Sequence, residues 1–125
     1  MSLRILVVDD SAHVRHALSE LLQLRGFAVA GAVGDGDQAD AAVAAGCPDG
    51  VLVDVNLPGR DGFVVAATLA RACPQARIVL TSSEVDAVPR SLLQRCGAIA
   101  FVAKTDLAAA DLAGLFGGDV AQSRR

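Results

Sequence analysis

The side chains best suited to chemistry in this chain are acids. Asp9 and Asp10 stand side by side in "RILVVDDSAHVR", where an apolar run ends. Asp54 closes a second run, "VLVD"; Ser82 follows a third, "IVLT", and Lys104 a fourth, "IAFVA". Singly, each reads as a loop residue or a helix cap. Together they are three carboxylates, a hydroxyl and an ammonium, each at the end of an aliphatic run. Carboxylates brought close together repel unless a cation joins them. A hard, oxygen-rich site with few protein ligands suits Mg2+, which keeps several waters and also binds phosphate. A carboxylate can act as a nucleophile and form an aspartyl phosphate. Lys104 and the metal would neutralise charge on a phosphoryl group in transfer. Ser82 would hydrogen-bond a phosphoryl oxygen once it is attached.

That chemistry requires the five residues to converge, and the rest of the pattern supplies the means. Five apolar runs recur along the chain: "ILVV" (5–8), "FAVAGAV" (27–33), "VLV" (51–53), "IVL" (78–80) and "IAFVA" (99–103). They lack polar alternation, as strands buried on both faces do. Between them lie segments of helical period. Val14, Ala17, Leu18, Leu21 and Leu22 repeat at the spacing of one helix face, with Ser11 as N-cap and Gly26 as stop. A second set is Val85, Val88, Leu92, Leu93 and Cys96, ended by Gly97; Pro89 inside it predicts a late start or a kink. Further helices are predicted over 37–45, 62–72 and 106–116. Strand and helix thus alternate five times with short links. That predicts an α/β fold with a parallel sheet, right-handed crossovers and helices on both faces. Ligands of doubly wound sheets bind outside the carboxyl ends of the strands, where all five polar residues fall.

Composition narrows the field. The chain has 125 residues, enough for one domain with a real core. Its apolar content of 53% argues against disorder. No apolar run could span a bilayer, and the N-terminus lacks a signal-peptide pattern, so the protein reads as cytoplasmic with no membrane partner. Net charge is -3 and only the terminal "SRR" is locally basic, so no direct nucleic-acid partner is expected. Cys47, Cys73 and Cys96 are isolated and odd in number, each near an expected helix end among apolar neighbours. They read as small buried thiols in preference to a metal site or a disulfide. The expected organisation is one folded unit over 1–117 and a flexible tail over 118–125.

The motifs "VVDDS", "VLVDVNLPGRDG", "IVLTSS" and "FVAKT", in this order and spacing, resemble the response-regulator receiver domain of two-component signalling across about residues 3–116. The resemblance implies the flavodoxin-like (βα)5 sandwich with strand order 2-1-3-4-5. It implies that Asp54 is the phosphoacceptor and that Mg2+ is held by Asp10 directly, by Asp9 largely through water, by Asp54, and by the backbone carbonyl of Asn56. Ser82 matches the switch hydroxyl; Thr81 is a rival by type, but the interval to Lys104 favours Ser82. Lys104 matches the phosphate-contacting lysine. Phe101 matches the aromatic that turns inward on activation, and it reads equally as a core residue. Asn56 and Glu84 match two places that tune dephosphorylation, and polar side chains there predict a short-lived phosphorylated state. Thr105 stands where the family often has proline, which removes one reason for a cis bond. Thr105 or Asp106 could instead cap the last helix.

The resemblance further implies a single-domain switch. A sensor histidine kinase or a histidine phosphotransfer protein would supply the phosphoryl group. The face made by the fourth helix, fifth strand and fifth helix would then engage an unknown protein target, or support a phosphorylation-dependent dimer. The alternatives are a phosphate shuttle in a phosphorelay and a phosphorylation-independent scaffold. An aspartyl-phosphate phosphatase fits worse, because "DVN" puts Asn56 where a second acid is needed. The glycines of "GAVGDG" (31–36) lack the dinucleotide-binding order and read as a turn. His13 and His16 have no third ligand nearby and read as surface residues.

Overall fold

The structure is a computed structural model and describes residues 2–123. The chain runs β1 (Arg4–Val8), α1 (Ala12–Leu24), β2 (Ala28–Val33), α2 (Gly36–Ala45), β3 (Gly50–Asp54), α3 (Gly62–Ala72), β4 (Arg77–Ser82), α4 (Arg90–Cys96), β5 (Ala100–Ala103), a 3-10 turn (Lys104–Ala109) and α5 (Leu112–Ser123). The five strands form one parallel sheet of order β2-β1-β3-β4-β5. This is the expected flavodoxin-like architecture.

The sheet is covered on both faces, and strand periodicity divides the core accordingly. Leu6, Val8, Val51 and Val53 face α2, α3 and α4 and pack with Ala39, Val43, Val65 and Leu69. Ile5, Val7, Leu52 and Val79 face α1 and α5 and pack with Leu18, Leu22, Leu112 and Phe116. Burial on both sides explains the uninterrupted apolar runs in sequence.

Local signals fix most helix ends. The Ser11 hydroxyl accepts from Val14 N at 3.2 Å, and Asp61 caps α3 by accepting from Val64 N at 3.0 Å. Helix α4 begins after Pro89, the late start that proline predicts, and ends at Gly97 with φ +76.

Three expectations are corrected. The predicted helix over 106–116 is two elements, because Ala110 adopts an extended backbone between the 3-10 turn and α5. Its cap is Asp111, whose carboxylate accepts from Gly114 N at 3.0 Å; Thr105 and Asp106 lie in the turn instead. Helix α5 runs Leu112–Ser123, and Arg124 and Arg125, the end of the expected tail, lie outside the described residues. Finally, Cys47 and Cys73 are a disulfide and not separate thiols. They are 26 residues apart, and the crossover fold brings the ends of α2 and α3 together at the amino edge of the sheet. Only Cys96 keeps the reading of a buried free thiol.

Candidate functional site

Strand β1 delivers Asp9, and the Asp9 N–H donates to Val33 O at 3.0 Å. Its carboxylate is almost fully buried. One oxygen accepts from Ser11 N at 2.9 Å, at the start of α1. The other, Oδ2, has the Lys104 ammonium 2.6 Å away. Asp54 ends β3 and is also buried. Its Oδ1 accepts from Asn56 N at 3.1 Å, and its Oδ2 accepts from Lys104 Nζ at 3.2 Å. Asp10 is exposed, and one oxygen from each of Asp9, Asp10 and Asp54 lies within 4.8 Å of the others.

Among the described residues, the buried polar side chains are Asp9, Asp54, Thr81 and Ser82. All four lie at the carboxyl ends of β1, β3 and β4. Burying polar groups costs free energy unless they are paired, so this placement marks where the fold tolerates that cost. Lys104, first residue of the 3-10 turn after β5, is the common partner of Asp9 and Asp54. Three carboxylates facing one ammonium leave an excess of negative charge. An all-oxygen donor set with that excess fits a hard divalent cation such as Mg2+.

The charges perturb one another. Burial raises the Asp54 carboxyl above the usual aspartate range, more than the Asn56 N–H and Lys104 lower it, and nearby Asp9 adds to the rise. Burial also disfavours the Lys104 ammonium, but its hydrogen bonds and charge contacts with Asp9 and Asp54 outweigh that, so it titrates above ordinary lysine.

Ser82 ends β4, and its hydroxyl oxygen accepts from Glu84 N at 2.9 Å. Asn56 Nδ2 lies 3.4 Å from the same oxygen. Thr81, the rival hydroxyl, pairs with Asp54 through the ladder, and its Oγ1 is buried without a partner. Asn56 and Glu84 are exposed beside the acids. Phe101 is half-buried within β5 and packs against the core on the α2–α4 side. His16 pairs with Glu20 at 3.5 Å, and both are exposed, in keeping with a surface reading of the histidine pair.

Two supporting residues were not singled out from sequence. Arg15 donates from its guanidinium to Asp9 O at 2.7 Å, holding the end of β1. Gly62 opens α3 against the end of β3: a Cβ there would stand 2.2 Å from Asp54 O. Gly62 is visible in "GRDG", but its closeness to Asp54 is a product of the turn. Arg15 carries no signal beyond its place one turn into α1.

The chain has known relatives. The chain matches the family "Response regulator receiver domain" over residues 5–113. It is 35% identical to the transcriptional regulatory protein PdtaR of Mycobacterium tuberculosis over 102 residues, covering 81% of this chain and 49% of PdtaR. It is 40% identical to the DNA-binding response regulator MtrA of the same organism over 104 residues, covering 83% of this chain and 45% of MtrA. The chain therefore spans about half the length of these curated relatives. A CheY-like receiver domain protein from Methanospirillum hungatei has the same fold, with a TM-score of 0.83 at 18% identity over 99% of this chain and 98% of that one. With the sheet order, the acidic cluster and the family match in agreement, this chain belongs to the response-regulator receiver-domain family.

Proposed function

We propose that the chain is a response-regulator receiver, with 1–117 as the receiver unit, that accepts a phosphoryl group on Asp54 from a sensor histidine kinase or a histidine phosphotransfer protein. The observation that carries this reading is the Lys104 ammonium set between buried Asp9 and Asp54, with Asp10 in the same cluster. A carboxylate oxygen of Asp54 attacks phosphorus, the bond from phosphorus to the donor atom breaks, and an acyl phosphate forms. Asp9, Asp10, Asp54 and the backbone carbonyl of Asn56 would hold Mg2+, which supplies charge neutralisation for the incoming phosphoryl group.

The chain's own groups do the rest. Lys104 is held where phosphoryl oxygens arrive, and its positive charge opposes their build-up of negative charge. The Ser82 hydroxyl accepts from backbone N–H groups and so keeps its own proton to donate to a phosphoryl oxygen. Drawing Ser82 and Lys104 toward the phosphoryl group biases Phe101 and the face made by α4, β5 and α5 toward a new protein target or a phosphorylation-dependent dimer. Asn56 and Glu84, exposed beside the acceptor, orient water and shorten the life of the phosphorylated state; a half-life of many hours at neutral pH would contradict that role. The working compartment in this reading is the cytoplasm; among the described residues, no helix is long and apolar enough to cross a membrane.

Intact-protein mass spectrometry after incubation with acetyl phosphate tests the reading. A single phosphoryl adduct that requires Mg2+ and is absent from Asp54→Asn is expected. No adduct from folded protein, with acetyl phosphate or with a phosphorylated histidine donor, would favour a scaffold instead.

A further inference from the structure

The Cys47–Cys73 disulfide is asymmetric. Cys47 follows α2 and is exposed, whereas Cys73, which caps α3, is 2% exposed. Both border an open surface depression of about 450 Å³, together with Pro48, Asp49, Pro74 and Gln75. The bond closes a covalent ring between residues 26 apart, and that ring contains all of β3, Asp54, the following loop and α3. Cys96 is buried in α4 and is the one cysteine outside the ring.

We propose that Cys47 is a thiol–disulfide exchange site for small thiols, through which the stability of this domain responds to redox conditions. Displacement at a disulfide sulfur proceeds in line, with the attacking thiolate opposite the leaving sulfur. With Cys73 on the protein side, the approach to Cys47 Sγ comes from solvent through the depression. Cys73, 2% exposed and packed in the core cluster, is the less accessible sulfur of the two. The thiolate RS⁻ bonds to Cys47 Sγ, the Cys47–Cys73 bond breaks, and Cys73 leaves as a thiolate that takes a proton. A second RS⁻ then attacks the R-group sulfur of the mixed disulfide, releasing RSSR and the Cys47 thiolate. In sum, the disulfide is reduced to two thiols, and two RSH are oxidised to RSSR.

The consequence is opening of the ring. A bond that closes a loop of this length restricts the unfolded chain strongly, so its loss lowers the melting temperature by about 10 °C. The acidic site lies at the opposite edge of the sheet. It is held by its own contacts: Lys104 to Asp9 and Asp54, Ser11 N to Asp9, and Gly62 against Asp54. Reduction therefore changes stability and leaves the rate of reaction with acetyl phosphate within about twofold.

The test uses the wild-type protein purified without reductant. Alkylation after denaturation is expected to mark Cys96 alone, and all three cysteines after treatment with dithiothreitol. Titration of the folded protein with reduced glutathione, followed by acid quench and peptide mapping, is expected to place the mixed disulfide on Cys47. In support, Cys73→Ser is expected to take up oxidised glutathione at Cys47, and Cys47→Ser to leave Cys73 unmodified while folded. Because each serine variant also lacks the staple, the wild-type mapping decides. Three alkylated cysteines in the unreduced protein would overturn the proposal. So would a mixed disulfide on Cys73, or a bond that glutathione opens only in denaturant.

Discussion

At the carboxyl edge of the sheet, Asp9, Asp54 and Ser82 are buried and share too few positive charges between them. At the amino edge, Arg4, Asp49 and Arg77 pair with one another. Arg4 N donates to Asp49 Oδ2 at 2.7 Å, Asp49 N to Arg4 O at 2.8 Å, and Arg77 N to Asp49 O at 3.0 Å. The loops there are also stapled by the Cys47–Cys73 bond. One edge carries unbalanced charge with a single shared lysine, and the other is paired and cross-linked. Costly arrangements persist where they serve chemistry and where the surrounding structure enforces them.

The sharpest way to break this comparison is to alter one edge and read the other. Asp54→Asn is expected to abolish the phosphoryl adduct, while Cys47→Ser leaves its rate of formation within about twofold, both followed by intact mass against time. A large loss of rate in Cys47→Ser would show that the two edges are not separable. Next in size is Lys104→Ala. Removing one positioned charge from a transferring group costs on the order of 10²-fold in rate, so adduct should form about a hundred times more slowly at saturating Mg2+.

Paired glycines at the two edges extend the contrast to stability. A Cβ on Gly62 would meet the backbone of Asp54 and Val55, at 2.2 and 2.4 Å. A Cβ on Gly50 would meet the ring of buried Phe116 at 2.4 Å. Overpacking of either kind costs about 1–3 kcal/mol, so denaturant midpoints should fall for both Gly62→Ala and Gly50→Ala. Only Gly62→Ala should also slow phosphorylation, since only it displaces Asp54. Equal slowing in both would mean that the site responds to global loosening.

The smallest effect is the dependence of stability on pH. Asp54 titrates above its unfolded value, so the folded state holds that proton more tightly than the unfolded chain. Stability from this group is full below the ordinary aspartate range and declines as pH rises through the folded value. Asp54→Asn should therefore melt higher than wild type at neutral pH without Mg2+, and the gap should close in acid. Added Mg2+ should raise the wild-type melting temperature more than that of the variant. Lys104 follows the same sign in a higher pH window. Its raised value adds stability that is present at neutral pH and is lost only above the ordinary lysine range.

Much of this was legible in sequence, for reasons that differ by region. Strands buried on both faces betray themselves as aliphatic runs, and Asp9, Asp54 and Ser82 could be placed because each ends one. The N-cap at Ser11 and the stop at Gly97 are chemical signals within one helical turn. The strand order came from resemblance, because periodicity does not determine which strands are neighbours. The disulfide stayed hidden for the same reason. Cys47 and Cys73 are 26 residues apart, and nothing short of the βα crossover geometry sets them side by side. The break at Ala110 was missed because an alanine-rich stretch reads as continuous helix, while Asp111 three residues before Gly114 was the available cap signal.

The most direct test of the central claim is to locate the phosphoryl group. Borohydride reduces an aspartyl phosphate to homoserine, and peptide sequencing by mass spectrometry then identifies the residue converted. After reaction with acetyl phosphate and Mg2+, conversion at position 54, with Asp9 and Asp10 intact, is the result this account predicts. Conversion at Asp9 or Asp10, or at no aspartate in protein that carries the adduct, would contradict it.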